Sequence, residues 1–272
     1  MLWICVFVVV PYVFVLLFSF FTPDPDKLIV WSFNLVSYRD IFSSVFLVVC
    51  WYSFLLALGT TVITLLAAYP FAFILARLPH GVQRILLLLM IIPFWTSSLI
   101  RTYALIIIFK ANGIINTFLL YLGLIDEPIM MLYTQMAVFI GLVYTLLPFM
   151  VLPIYSSIQK LDWRLIEAAR DLGATPRRIF FSIIIPLTLP GIIAGSTMVF
   201  LPALGLFYIP DLLGGARVML IGNFIKNQFL TSGNWPLGSA ASVILTLVMC
   251  LFLYVYFLSA RKAGTQGMGD MA

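Results

Sequence analysis

Apolar residues run through this chain in long uncharged blocks at 1–23, 41–76, 128–159, 179–210 and 227–260, and a further block at 85–109 is broken only by Arg101. A helix needs about 20 mainly apolar residues to cross roughly 30 Å of hydrocarbon. The blocks therefore predict six membrane spans, near 2–22, 46–77, 85–109, 134–155, 183–208 and 237–259. Strands of an outer-membrane barrel alternate in polarity over about ten residues, and these blocks are too long and uniform for that. The predicted fold class is all-α, a single polytopic membrane domain over 1–272.

Between the blocks, turn residues mark the connections. Pro23, Asp24, Pro25 and Asp26 open an outer loop, and Arg77-Leu78-Pro79-His80-Gly81 reads as a short turn on the opposite side. Leu119, Leu120, Tyr121 and Leu122 before Gly123 suggest a short interfacial helix within 110–133. The fifth span carries Pro186, Pro190, Gly191, Gly195, Pro202 and Gly205. Membrane helices tolerate such breakers where neighbours or a cavity satisfy the freed backbone groups. An outer re-entrant or interfacial stretch is expected over 210–235, and no internal repeat is visible.

Composition agrees with the pattern: 63% of the 272 residues are hydrophobic and 9% charged, far from the quarter charged of soluble domains. The net charge of +5 does not imply nucleic acid, because the fifteen Lys and Arg are spread along the chain without a basic arm or stripe. It bears on orientation instead, since short cytoplasmic loops gather Lys and Arg. With alternating loops, one side holds Arg77, Arg84, Lys160, Arg164, Arg170, Arg177, Arg178, Arg261 and Lys262, and the other Lys27, Arg39, Lys110, Arg217 and Lys226, with Arg101 near that boundary. Both termini are thus expected on the cytoplasmic side. Cys5, Cys50 and Cys250 all fall within apolar spans and read as small buried hydrophobes rather than a disulfide framework. Segment 1–22 lacks a preceding basic region and a small-residue cleavage pattern, so it reads as a retained span and not a signal peptide. Its abrupt apolar start is also compatible with a cytoplasmic leader missing from the chain.

Charge concentrates at 156–182, which holds eight of the twenty-five charged residues. Asp162 suits the cap of a helix over Trp163-Arg164-Leu165-Ile166-Glu167-Ala168-Ala169-Arg170-Asp171-Leu172, and Gly173 suits the left-handed position that ends it. Thr175-Pro176 begins a second helix leading into the fifth span. Leu161, Leu165, Ala168, Ala169 and Leu172 form one helical stripe, with Arg164, Glu167, Arg170 and Asp171 elsewhere on the surface. Such a helix suits a protein partner or the lipid head groups. The five basic and three acidic residues of 156–182 make the segment less basic than lipid-surface helices usually are.

Glu167-Ala168-Ala169, three residues, Gly173, nine residues, then Ile183, Ile185 and Pro186 resembles the cytoplasmic signature of the membrane subunits of ATP-binding cassette importers, where Leu is usual in place of Ile185. The resemblance implies a type I importer permease fold, with 156–182 as the coupling-helix segment. Leu165, Glu167, Ala168, Ala169, Arg170, Asp171, Leu172 and Gly173 would then contact a cytoplasmic ATPase. Pro93-Phe94-Trp95-Thr96, Ser98-Leu99-Ile100-Arg101, Leu147-Pro148-Phe149-Met150, Tyr155-Ser156-Ser157-Ile158, Pro186-Leu187-Thr188, Pro190-Gly191-Ile192 and Gly205-Leu206-Phe207-Tyr208 with Asp211-Leu212 are similar to the B-type permease subunits of spermidine and putrescine importers. This likeness extends from Asn34 to about Phe252. It implies a bacterial inner-membrane location, a second related permease, two ATPase subunits that bind ATP and Mg, and an extracytoplasmic polyamine-binding protein. It implies no cofactor and no enzymatic site in this chain.

A polyamine pathway needs carboxylates and aromatic faces that replace water around each ammonium group. Asp162, Glu167, Asp171 and Asp270 are assigned to the cytoplasm, leaving Asp24, Asp26, Asp40, Asp126, Glu127 and Asp211 outside. Asp211 ends the fifth span beside Phe207, Tyr208 and Pro210, which fits either a pathway carboxylate or the cap of the stretch starting near Arg217. Trp95, Tyr103 and Tyr144 are further pathway candidates, each of which equally suits lipid or bundle packing. Arg101 is expected to pair with an acid or to reach the outer surface, and it is positioned to orient a neighbouring loop. Among rivals, an intramembrane enzyme lacks ligands: His80 is the single histidine, and H-E-x-x-H, G-x-S-x-G and the P-loop pattern are all missing. An ion-coupled carrier would show midplane titratable groups and two similar halves. A permease of the same class for another small cation or an amino acid stays open.

Overall fold

In the computed structural model, described at residue 3 and at 5–22, 32–42 and 44–269, with side chains at 5, 44, 216, 255 and 259–269 left aside, the described residues are helical and free of strands apart from an isolated bridge residue at Thr22. Helix α1 spans Val10–Phe18 and follows a π-helical turn, Cys5–Val9. Next come α2 (Val36–Ile41), α3 (Ser44–Leu75), α4 (His80–Ile91), α5 (Ser98–Phe109), α6 (Ile114–Tyr121) and α7 (Gln135–Gln159). Helices α8 (Trp163–Asp171), α9 (Pro176–Ile179), α10 (Ile185–Gly205), α11 (Ile221–Leu230) and α12 (Trp235–Gly269) complete the chain. Asp24, Asp26, Lys27 and Asp270 lie outside the described residues, as do the Arg261 and Lys262 side chains.

Among the described residues, five helical stretches have the length and apolarity to cross a membrane: Val45–Leu75, Ser98–Tyr121, Gln135–Gln159, Pro176–Gly205 and Trp235–Leu258. Two shorter apolar helices accompany them, Val6–Phe18 within the first expected span and His80–Trp95 at the start of the third. The third differs from its predicted range. The expected continuous span over 85–109 breaks at Ile91, passes through a 3₁₀ turn (Ile92–Trp95) and an extended Thr96, and restarts at Ser98. Pro93 has no N–H for an α-helical bond, and Thr96 donates from both its backbone N–H and its hydroxyl to the Pro93 carbonyl, at 3.2 and 2.7 Å.

The chain forms two compact units whose boundaries fall inside helices α3, α5, α7, α10 and α12. The unit of residues 1–56, 106–138 and 204–252 has a core of Ile41, Phe46, Ile221, Ala240 and Ala241. Ser53, buried on α3, accepts from the Ile221 N–H at 2.8 Å and donates to the Val49 carbonyl at 2.7 Å, so one hydroxyl ties α3 to the start of α11. Asn116 is also fully used: its amide donates to the Lys110 and Ile129 carbonyls and accepts from the Ile129 N–H.

The unit of residues 57–105, 139–203 and 253–272 is built on two seams. On α3 the buried residues Ala57, Thr61, Thr64, Ala68, Ala72 and Leu75 recur at helical spacing, and their small size lets neighbouring backbones approach. On α7 Leu142, Leu146, Met150, Ile154 and Ile158 form a ladder with a four-residue step, all buried. Helix α10 meets α7 at Gly191, where a Cβ would sit 2.6 Å from the Pro153 carbonyl oxygen, and meets the ladder at Gly195, where a Cβ would sit 2.8 Å from Met150 Sδ. Some hydroxyls inside the helices bond to the carbonyl four residues back, as Thr61 does to Ala57 at 2.8 Å and Thr197 to Ile193 at 2.9 Å, which satisfies them without water, whereas the buried Thr60 and Thr64 hydroxyls have no hydrogen-bond partner.

Candidate functional site

Helix α8 forms where local chemistry starts and stops it. Asp162 accepts from the Arg164 N–H at 3.0 Å, satisfying one of the free donors of the first turn. Gly173 takes φ +79°, and its N–H reaches the Arg170 carbonyl at 2.8 Å. Thr175 then accepts from the Arg178 N–H at 3.4 Å, and Pro176 opens α9. From there the chain continues through a π-helical stretch, Phe180–Ile184, into α10.

The apolar stripe expected over 161–172 is divided between two directions. Leu161 is buried and Leu165 and Leu172 are exposed, Leu172 at 89%. The contact of α8 with its own chain is made by Ile166, at 4% exposure, with Trp163 half-buried beside it. The physical reason is that α8 carries two apolar faces, one already covered and one open. Ala168, Glu167, Arg170 and Asp171 are exposed along with Leu165 and Leu172, while Ala169 is half-buried.

Aromatic contacts join the covered face to α3 and α10. The Arg77 guanidinium lies 4.1 Å from the centre of the Phe73 ring and 5.2 Å from that of Trp163. Phe180 meets Phe73 and Tyr69 edge-on, at 6.4 and 5.7 Å between centroids. Tyr69 OH and Thr188 Oγ1 are hydrogen-bonded at 3.0 Å. A cavity of about 420 Å³ opens between Ala76, Arg77, Trp163, Ile166, Glu167 and Arg170. Close by in sequence, the buried Gln83 uses its whole amide: it donates to the carbonyls of Ala76 (3.2 Å) and Leu78 (2.7 Å) and accepts from Tyr155 OH (3.0 Å) and the Gln159 amide (2.9 Å). Sequence reasoning passed over Gln83 and Ile166. A lone amide just after the Pro79 turn was the available signal for the first.

The second group of candidates belongs to the other unit. Phe207, Tyr208 and Asp211 are brought together where α10 ends, with the Phe207 and Tyr208 rings edge-on at 6.2 Å and Asp211 in a π-helical turn, Pro210–Gly214. Asp211 is paired rather than free: Lys226 Nζ donates to Oδ2 at 2.5 Å, and the Asn223 amide donates to Oδ1. This is the ion pair found among the described residues. The same Asn223 amide donates to the Phe207 carbonyl at 2.8 Å. Tyr133, held at φ +61°, donates its N–H to the Leu213 carbonyl at 2.8 Å, and its ring lies against Gly215, itself at φ +57°. A non-glycine residue in that region is strained, and such strain persists where the surroundings fix it.

Trp95, Tyr103 and Tyr144 lie in the unit that holds α8, and all three are exposed, Trp95 at 84%. Arg101 has no acidic partner among the described residues; its guanidinium lies 5.1 Å over Phe94, in the turn between α4 and α5, and its buried Nε has no hydrogen-bond acceptor. The expected pairing with an acid is therefore not found among the described residues, and the contact of Arg101 is with the Phe94 ring. Asp40, Asp126 and Glu127 are exposed.

Residues 68–263, which include both groups, match the family of binding-protein-dependent transport system inner membrane components. The chain belongs to this family. Among its relatives, the spermidine/putrescine transport system permease protein PotB of Escherichia coli (strain K12) is 51% identical over 259 residues, covering 95% of this chain and 94% of that protein. PotB of Haemophilus influenzae is 48% identical over 255 residues, covering 94% and 89%. The fold agrees with that of a bacterial alginate ABC transporter solved with an alginate-bound periplasmic protein, at a TM-score of 0.76 over 96% of this chain and 91% of that one, although only 16% of residues are identical. The all-α fold expected from the hydrophobic pattern, and the permease fold implied by the resemblance, are thus those of this family member. Its two candidate sites are α8 and the stretch from Phe207 to Lys226.

Proposed function

We propose that this chain is the membrane-spanning subunit of an ATP-driven importer for spermidine, putrescine or a closely related polyamine. The observation that carries this reading is the 51% identity, sustained over 95% of the chain, with a spermidine/putrescine permease. The chain would pair with a second permease, two cytoplasmic ATPase subunits that bind ATP and Mg, and a polyamine-binding protein outside a bacterial inner membrane. It would contribute no ATPase site of its own, and both termini would be cytoplasmic.

In this reading the exposed Leu165, Glu167, Ala168, Arg170, Asp171 and Leu172 meet the ATPase, while Ile166 and Trp163 hold α8 to the rest of its unit. Rigid movement of α8 would pass to α3 through Arg77 and Phe73 and to α10 through Phe180. Phe207, Tyr208 and Asp211 supply the aromatic faces and carboxylate that a cationic cargo requires, with Trp95, Tyr103 and Tyr144 as further pathway positions.

The test is reconstitution of the chain with its partner subunits in proteoliposomes. Spermidine uptake should require both ATP hydrolysis and the binding protein, and Asp211→Asn should weaken it more than it weakens assembly. Uptake that persists without hydrolysis overturns the importer reading, and unchanged transport kinetics in the Asn variant removes Asp211 from the pathway.

A further inference from the structure

We propose that Lys226 is a built-in occupant of a primary-ammonium site at Asp211, displaced by an ammonium group of the cargo during transport. This rests on the polyamine reading above and adds to it what keeps the site filled at rest.

The Asp211 carboxylate is aimed by its surroundings before any cation arrives. Asn223, at 2% exposure, bridges Oδ1 and the Phe207 carbonyl, and its own side-chain oxygen accepts from the Leu220 N–H at 3.4 Å. The turn is therefore fastened to α11 without Lys226, which leaves the lysine free of that structural duty. Lys226 adds a primary ammonium on a four-methylene stem, the same chemistry that repeats along a polyamine. Its side chain is 25% exposed and that of Asp211 31%, so the pair is not sealed. Partly exposed ion pairs of this kind are weak and exchange readily with other cations.

Beside the pair lies a cavity of about 340 Å³ lined by Phe207, Ile225, Lys226, Phe229, Leu230 and Leu245 among others. Its walls are almost wholly apolar, suited to methylene segments, with the Phe207 and Phe229 rings among them. An ammonium site with an alkyl-lined chamber next to it matches an alkylammonium better than a hydrated metal ion, which needs several oxygen ligands. A resident ammonium also keeps the carboxylate neutralised between cycles.

A site open only a fraction of the time has its apparent affinity reduced by that fraction. A lysine in place about five-sixths of the time, the upper bound for so weak a pair, therefore weakens cargo binding about sixfold. The experiment measures radiolabelled spermidine retained by the assembled complex in lipid nanodiscs, without ATP and without the binding protein. Lys226→Met should lower the apparent Kd by up to about sixfold, and adding Asp211→Asn should abolish the gain. Lys226→Arg, which keeps an ion pair and can hold a carboxylate through two parallel bonds, should assemble normally and bind spermidine several-fold more weakly. If the Met variant fails to assemble, the Arg variant decides alone. Retention equal to wild type in the variants that assemble, or undetectable in all of them, overturns the resident-ammonium proposal while wild-type uptake stands. Loss of spermidine uptake by the wild-type complex with its binding protein would instead remove the polyamine reading beneath it.

Discussion

Replacing Arg77 by Gln tests whether α8 is mechanically joined to α3. The guanidinium lies 4.1 Å from the Phe73 ring centre and 5.2 Å from that of Trp163. Arg77 is exposed, so each contact is valued at the surface figure of about 0.5–1 kcal/mol. Only the Trp163 contact reaches α8, so losing it weakens the held position of α8 by about 0.5–1 kcal/mol, a factor of roughly 2–5 in its docked population. The aromatic neighbours Phe73 and Trp163, 6.3 Å apart, stay in place, so insertion and assembly should be unaffected. The assay is polyamine uptake per ATP hydrolysed in proteoliposomes, with Trp163→Leu and the double variant alongside. We expect the ratio to fall several-fold in each single variant and little further in the double, because both remove the same contact. A ratio equal to wild type in both singles, or additive losses in the double, would refute the mechanical link.

Three further outcomes follow from the packing. Gly191→Ala places a Cβ 2.4 Å from Ser157 Oγ and 2.6 Å from the Pro153 carbonyl oxygen, so it should cost about 1–3 kcal/mol and lower the Tm of the purified chain. Gly81→Ala, whose Cβ meets nothing within 4 Å, is the control that should leave Tm in place. Gln83→Leu strips the Ala76 and Leu78 carbonyls and Tyr155 and Gln159 of their shared partner, at about 1–3 kcal/mol for unsatisfied buried groups; faster limited proteolysis at 76–80 should report it, and an unchanged cleavage rate would count against the clasp. Gly173→Pro meets φ +79° with a ring fixed near −65° and removes the N–H bonded to Arg170. It should leave insertion intact and uncouple hydrolysis from transport, as should Glu167→Lys, and normal uptake in both would detach α8 from the ATPase.

Helix α8 was legible because its limits are written in adjacent residues. Asp162, Gly173, Thr175 and Pro176 act on backbone groups one to four positions away, and each does in the structure what its chemistry predicts. The six apolar blocks were legible for a similar reason, since length and polarity are local quantities. The break at 92–97 was hidden because Pro93 sits in a block as apolar as those without a break, and other prolines, Pro70 and Pro153 among them, are absorbed within helices. Ile166 was overlooked because a single-stripe reading assigns one apolar face, whereas α8 has two. Lys226 was invisible as the partner of Asp211: the two are fifteen residues apart, and only the fold returns α11 to the end of α10.

Irregular backbone gives a more general pointer to function than any single residue type in this chain. Within hydrocarbon, a non-helical stretch is sustained only where protein or a cavity satisfies its polar groups. Besides the π-helical turns Cys5–Val9 and Phe180–Ile184, the described structure departs from α-helix within apolar sequence at 92–97 and, Tyr208 and Ile209 apart, over 206–220. Both stretches are closed by named bonds: Thr96 to Pro93 in the first, and Asn223 to Phe207 and Tyr133 to Leu213 in the second. The first carries Trp95 and faces Arg101 through Phe94, and the second carries Phe207, Tyr208 and Asp211. A chain with 9% charged residues has few ways to hold a cation, and unwound backbone adds carbonyl oxygens that regular helix keeps for itself. If these stretches form part of the cargo path, restoring helix should impair transport without loss of stability. Pro93→Ala is the direct trial, since it returns the missing N–H; uptake at the wild-type rate in a variant with a raised Tm would show that the first break serves packing alone.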